Sequence, residues 1–234
     1  MYWTGFVNFQ LQNMLIKIIY QFVAVMLLTG LMACNQNART PAPAADTMAL
    51  TQVDTAFQPL PAQAAISPDS AVVQLNRTLL TLLKNKNYAA LIPYIHPTRG
   101  TRFSPYGFVD TLQHHQMSRK EYETVIRTNG QLYWGYYDGS GDSILLTLNS
   151  YFEKFVYNKD FLHAEKISLN RTLGKGNSLN NLEAVYDGSL YVENYFSGFD
   201  KKYAGMDWSS LRLVFEKSGD NYYLVGVVHD QWTS

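Results

Sequence analysis

The chain of 234 residues has a single cysteine, Cys34. One thiol allows no disulfide within the chain and no cysteine-ligated zinc site. Neither sign of charge is in excess, with 19 Lys and Arg against 19 Asp and Glu. That balance gives no electrostatic footprint for nucleic acid, and no nucleic-acid partner is expected. The sequence also lacks G-x-S-x-G, H-E-x-x-H, the Lys-Ser/Thr of a phosphate loop and the dinucleotide G-x-G-x-x-G. Its glycine-rich stretches, "GKG" (174–176) and "DGSGD" (138–142), read as turns. His114 and His115 are neighbours in a loop-like segment and His163 is remote, so they lack the convergent spacing of metal ligands. No metal and no cofactor are expected. The apolar run from Ile18 to Ala33 is short for a membrane-spanning helix, which needs about 20 residues.

Apolar residues are plentiful. They make up 47% of the chain, with 17 Tyr and 12 Phe, enough to build a true core. At the N-terminus Met14 precedes Lys17, the apolar run and then "LMAC" (31–34). A basic start, an apolar stretch and a small residue before a cut site describe a secretory leader. Residues 1–13 carry no positive charge, so Met14 is an alternative start to Met1.

"LMAC" resembles the lipobox of bacterial lipoproteins. The resemblance implies Leu31 at −3, Ala33 at −1 and Cys34 as the residue whose sulfur takes a diacylglycerol before a peptidase cuts ahead of it. Met32 at −2 is bulkier than the family's usual residue. A small −1 residue lets the peptidase reach the backbone, and a thiol is the nucleophile suited to a thioether. Two or more acyl chains give stable anchoring where one is marginal. The partner implied is therefore a membrane, and the address a bacterial cell envelope. Asn35 lacks the acidic side chain that often retains such proteins at the inner membrane, which points to the outer membrane.

Three regions follow: a leader over 1–33, a lipidated tether over 34–66 and a folded domain over 67–234. The tether is rich in Ala, Pro, Thr and Gln and has no sustained periodicity. The domain opens with "SPDSAVVQLNRTLLTLLKNKN", where Ser67 is a candidate N-cap, Pro68 the first helical residue, and Val72, Leu75, Leu79, Leu82 and Leu83 recur at helical spacing. A short helix is expected over 87–95 despite Pro93, and a strand or loop over 103–110. A helix over 118–128 follows, opened by the capping box Ser118–Glu121, with Tyr122, Val125 and Ile126 on one face. Leu148, Phe152 and Phe155 mark another helical stretch. Then the pattern changes to strands over 190–196, 210–217 and 221–232, the last two joined by a "SGDN" hairpin turn. Helices first and a mainly antiparallel sheet last define an α+β fold.

This order of elements, with the helix pair "LLTLLKNKNYAALIPYIHP", is similar to the NTF2-like (SnoaL-like) superfamily, in which a curved sheet wraps N-terminal helices into a cone. The segments "IHPTRGTRFSPYG", "YDGSGDSILLT", "NSLNN", "GMDWSSLRLVFE" and "VGVVHDQW" resemble a family of bacterial secreted proteins and lipoproteins. The resemblance implies a fold and an address and brings no reaction with it. The cone mouth of NTF2-like proteins often forms a pocket, so the candidate pocket residues are groups able to carry chemistry.

His229 closes the last strand, where alternation sets it on one face with Tyr223, Val225 and Val227. Asp230 then points to the other face and does not orient His229; Trp232 is expected to close the core. His96 and Arg99 in "HPTRG" either grip an anion or satisfy helix-end carbonyls and a neighbouring acid. Arg212 lies opposite Leu211, Leu213 and Phe215, with an ion pair to Glu193 or Asp207 as the structural reading. Trp208 is a stacking platform or a core residue, and the clusters "YWGYY" (133–137) and "NYY" (221–223) are aromatic surfaces for a sugar, a peptide or a protein. The expected function is that of a lipid-anchored envelope protein whose domain is a non-catalytic module for a small ligand or an envelope partner. The alternative is an envelope hydrolase or isomerase using His229 with His96 or Arg99.

Overall fold

The structure is a computed structural model that describes residues 67–176 and 179–233. The expected leader, the lipobox with Cys34 and the tether lie outside the described residues.

Helix α1 (Pro68–Lys84) starts where its cap chemistry places it: the Ser67 hydroxyl accepts from the Ser70 N–H at 3.3 Å, and Pro68 fills the first helical position, where its missing N–H does no harm. A 3₁₀ turn (Tyr88–Tyr94) replaces the short helix expected over 87–95, because Pro93 has no N–H to extend an α-helical ladder. Two short strands, β1 (Thr101–Ser104) and β2 (Gln116–Met117), lead into helix α2 (Arg119–Thr128). Both halves of the α2 capping box form: the Ser118 hydroxyl accepts from the Glu121 N–H, and the Glu121 carboxylate accepts from the Ser118 N–H at 2.8 Å. Ser118→Ala is expected to lower stability by about 1 kcal/mol, read as a drop in the urea midpoint at unchanged slope.

A hairpin of β3 (Leu132–Tyr136) and β4 (Ser143–Leu146) forms a separate two-stranded sheet. Helix α3 (Leu148–Tyr151) passes directly into a π-helical turn (Phe152–Val156), which brings Phe152, Phe155 and Val156 into the core. After a 3₁₀ turn (Phe161–His163) come β5 (Lys166–Leu169), the short helix α4 (Leu182–Val185) and β6 (Leu190–Phe196). A last 3₁₀ turn (Lys201–Tyr203) precedes β7 (Ser209–Ser218) and β8 (Asn221–Gln231). The β7–β8 loop is Gly219-Asp220, with Gly219 at φ +61°, the left-handed geometry that a two-residue hairpin turn requires at its first position.

The main sheet has six strands in the order β2-β1-β8-β7-β6-β5. It is antiparallel except where β1 runs parallel to β8. The class is thus mixed α/β, with a mainly antiparallel sheet and packed helices.

Each face of the sheet buries its own apolar set. On the first, Val192, Leu211, Leu213, Phe215, Leu224 and Val227 pack under the helices and the β3–β4 hairpin. Phe103 sits at the middle of this core, stacked with Tyr122 at 6.2 Å and edge-on to Trp134 at 5.9 Å, while Trp134 stacks on Tyr151 at 3.9 Å. Two of these rings have their polar ends satisfied inside the protein: Trp134 Nε1 donates to the Leu146 carbonyl and Tyr122 Oη to the Tyr88 carbonyl. On the second face, Tyr191, Val214, Val225 and Val228 pack against Val109, Leu182 and Tyr186.

Strand β8 departs from simple alternation. Val214 pairs with Gly226 and Phe215 with Leu224, so Val225 is an extra residue in β8. The bulge moves Val225 to the second face. The expected grouping of Tyr223 and Val225 with His229 is therefore corrected to Leu224 and Val227 with His229.

Candidate functional site

His229 is fully buried on the first face. Its Nδ1 lies 3.1 Å from the Pro105 carbonyl, which can only accept, so Nδ1 carries the proton. Nε2 then accepts from the Asn158 amide at 3.2 Å. Burial, helped by the Arg212 and Lys159 charges, holds this ring well below its usual range, at about 4. It is a neutral core histidine at neutral pH, with both nitrogens engaged.

His96 and Arg99 meet an acid that the sequence pattern did not single out, Glu216 of β7. The Arg99 guanidinium pairs with one oxygen of Glu216, and His96 Nε2 is 3.8 Å from the other. His96 Nδ1 accepts from the Arg99 N–H at 3.0 Å and the Thr98 N–H at 3.3 Å, which fixes the proton on Nε2. Arg99 also lies over the Tyr186 ring, 5.4 Å from its centroid. The neighbouring acid of the structural reading of "HPTRG" is thus Glu216, and the turn is clamped to the end of β7.

Arg212 is a fully buried charge. It and Glu193 face each other in register on β7 and β6, each 0% exposed. Arg212 Nε donates to Glu193 Oε1 at 3.0 Å, and Nη2 to Asp230 Oδ2 at 2.9 Å and the Gly174 carbonyl at 3.4 Å. Glu193 also accepts from the Ser210 hydroxyl at 2.5 Å and from the Leu173 and Gly174 N–H groups. Burial pushes the Asp230 carboxyl above the ordinary range, with the Arg212 charge opposing. Two glycines allow this closure. A Cβ on Gly174 would lie 2.5 Å from the Trp208 ring, and one on Gly107 would lie 2.6 Å from the Asp230 carboxylate. Arg212 Nη1 has no hydrogen-bond partner among the described residues.

The sequence candidates therefore separate. Trp208, Arg212 and Asp230 come together with Glu193 at one end of the second face, and His96 and Arg99 meet Glu216, which alternation along β7 places on that face near its other end. His229 faces the opposite core, so it shares no pocket with either group. Asp207 accepts from the Phe199 and Asp200 N–H groups instead of pairing with Arg212. Trp232 lies past the end of β8 and is 41% exposed, so it does not close the core. Within "YWGYY", Trp134 is buried and Tyr136 is exposed; the larger exposed set is Phe199, Tyr203 and Met206 on the β6–β7 connection. His114 turns inward, with Nδ1 accepting from the Asp110 N–H, while His115 packs against Trp134. Among the described residues no group of three His, Cys, Asp or Glu could hold a metal ion, and no helix is long and apolar enough to cross a membrane.

Space for a ligand is unequally distributed. The void between helices and sheet, lined by Phe103, Tyr122, Phe152 and Leu213, is only about 10 Å³. An open groove of about 490 Å³ lies instead between α1 and β5, lined by Val73, Leu80, Leu162 and Ile167 and by the polar edge of α1.

Fold and site together define a mixed α/β domain whose buried ionisable groups are engaged in holding its sheet and loops, with an open apolar groove at one edge. No family model matches the chain, and no curated protein matches it. Among solved structures, the chain is similar to a protein from Xanthomonas campestris described as a calcium/calmodulin dependent protein kinase II association domain. The likeness is 14% identity over 73% of this chain and 91% of that one, with a TM-score of 0.31.

Proposed function

We propose that this protein is a lipid-anchored component of the bacterial cell envelope, held at the outer membrane through Cys34, and that its NTF2-like domain is a non-catalytic binding module for a small ligand or an envelope partner. The observation that carries the module reading is the separation of the titratable groups. General acid–base chemistry needs two such groups within hydrogen-bond reach of one substrate. Here His229 is locked in one core, while His96 and Arg99 are clamped to Glu216 on the other side of the sheet. The finer fold reading, an NTF2-like cone, is supported by the leading helix, the second short helical turn and the closing β6–β7–β8 meander.

The anchor reading rests on "LMAC" and on the solitude of its cysteine. Cells making the wild-type chain are expected to incorporate labelled fatty acid into it, and the Cys34→Ser chain is expected to lose the label and membrane retention together. Undiminished labelling of Cys34→Ser, or a mature wild-type chain carrying an intact leader or a free thiol by mass spectrometry, overturns it.

A further inference from the structure

Helix α1 carries Asp69, Val73 and Arg77 at spacings of four, so they form one stripe along its outer side. Asp69 and Arg77 are both exposed, and among the described residues neither has an ion-pair partner. Val73, midway between them, is 39% exposed. The stripe borders the 490 Å³ groove, and on the groove's far wall Ile167 of β5 is 53% exposed. Two large aliphatic side chains thus stand open on either side of one trough.

Strand β5 is the edge of the six-stranded sheet. The Asn170 N–H donates inward to the Tyr191 carbonyl, and the register pairs Ser168 with Glu193 and Lys166 with Tyr195. By the alternation of antiparallel ladders, the backbone groups of Ile167 and Leu169 then point out of the edge.

The order of the stripe identifies its occupant. It reads acid, aliphatic, base, with the aliphatic residue at the centre. That order is self-complementary under a two-fold axis and under no parallel arrangement. Two α1 helices laid antiparallel about an axis through Val73 bring Asp69 of each copy onto Arg77 of the other, with the valines meeting between them. A parallel arrangement would set like charges together. An isologous contact requires this kind of self-matching patch. We infer that the α1 stripe and the adjoining groove dock a second copy of this chain, so that each α1 lies in the trough between α1 and β5 of its partner. The apolar walls supply the affinity, and the exposed ion pairs set the orientation. The inference goes beyond the anchor and binding-module readings and does not depend on the lipid.

The solitude of Cys34 makes the test clean. In the full chain carrying Cys34→Ser, kept in mild detergent, Val73→Cys places the single thiol on the axis. A short bismaleimide is expected to give a covalent dimer much faster than it does from Leu112→Cys, a control position 91% exposed in a different part of the domain. Adding Arg77→Glu makes both inter-copy pairs repulsive and is expected to slow cross-linking at Val73→Cys by about tenfold or more. Adding Asp69→Arg to that variant exchanges the charges and is expected to restore the rate. The three positions are exposed, and an unchanged thermal melt confirms that each variant folds. Cross-linking at Val73→Cys no faster than at Leu112→Cys, or a charge-exchanged variant that stays as slow as Arg77→Glu, overturns the inference; capture of a different protein at Val73→Cys in cells, without the homodimer, does so too. Fatty-acid labelling is read separately on the chain that keeps Cys34, so the two failures are told apart.

Discussion

Arg212→Met is expected to destabilise the domain by about 3–5 kcal/mol, measured as the free energy of urea unfolding at pH 7. The size follows from what the substitution leaves behind. Glu193 is fully buried and Asp230 nearly so, and the guanidinium is the cation facing both. Methionine fills much of the volume but leaves two carboxyl groups against each other in a dry site. Protonation of one or both can relieve the repulsion, and a proton then replaces two charge-assisted hydrogen bonds. The triple variant Arg212→Met, Glu193→Gln, Asp230→Asn removes the charges together and is expected to recover part of the loss, because the expense lies in the unpaired ions more than in the missing pair. A single Arg212→Met that unfolds within about 1 kcal/mol of wild type would mean that the triad is hydrated, in conflict with its burial.

The second large effect is set by pH. His229 has its pKa held at about 4 in the fold, against about 6.5 for an exposed histidine. The folded state therefore binds fewer protons than the unfolded state between these values, and stability must fall as pH drops through that window. His229 contributes its full stabilisation above about pH 6.5 and loses on the order of 3 kcal/mol of it by pH 4. His114, also held at about 4 by burial, adds a loss of the same sign. Asp230 works the other way, since its raised carboxyl takes up a proton more readily in the fold than in the open chain. Urea melts at pH 7 and pH 4.5 are expected to show a marked drop for wild type and a shallower one for His229→Gln, whose amide can still donate to the Pro105 carbonyl. Equal slopes for the two proteins would show that His229 is charged or hydrated in the fold.

What could be read from the sequence was local chemistry. The starts of α1 and α2 were legible because Ser67, Pro68, Ser118 and Glu121 act within one turn of themselves. The β6, β7 and β8 strands were legible because β-rich apolar runs flank a short turn. The Arg212–Glu193 pair was foreseeable as well, since each charge interrupts an apolar strand where only a partner could keep it. Other features depended on distance. Nothing near Arg102 or Phe103 announces that β1 will pair in parallel with a strand more than a hundred residues later. The bulge at Val225 has only the neighbouring Gly226 as a sign, yet it decides which side chains share His229's face. Strand β5 was missed because an edge strand with one exposed isoleucine has little alternation to show. Nothing local in the sequence marks Glu216. Its role appears only when the "HPTRG" turn is folded against it.

The position of β8 has a consequence for how the protein is made. It lies inside the sheet, between β1 and β7, and it is the last strand of the chain. Until the eleven residues of β8 are in place, β1 and β2 have no sheet to join, and β5, β6 and β7 lack the neighbour that links them to the first half. The domain therefore stays open until β8 has been made. A nascent chain in that condition can be threaded through a narrow pore, as the envelope address proposed above requires.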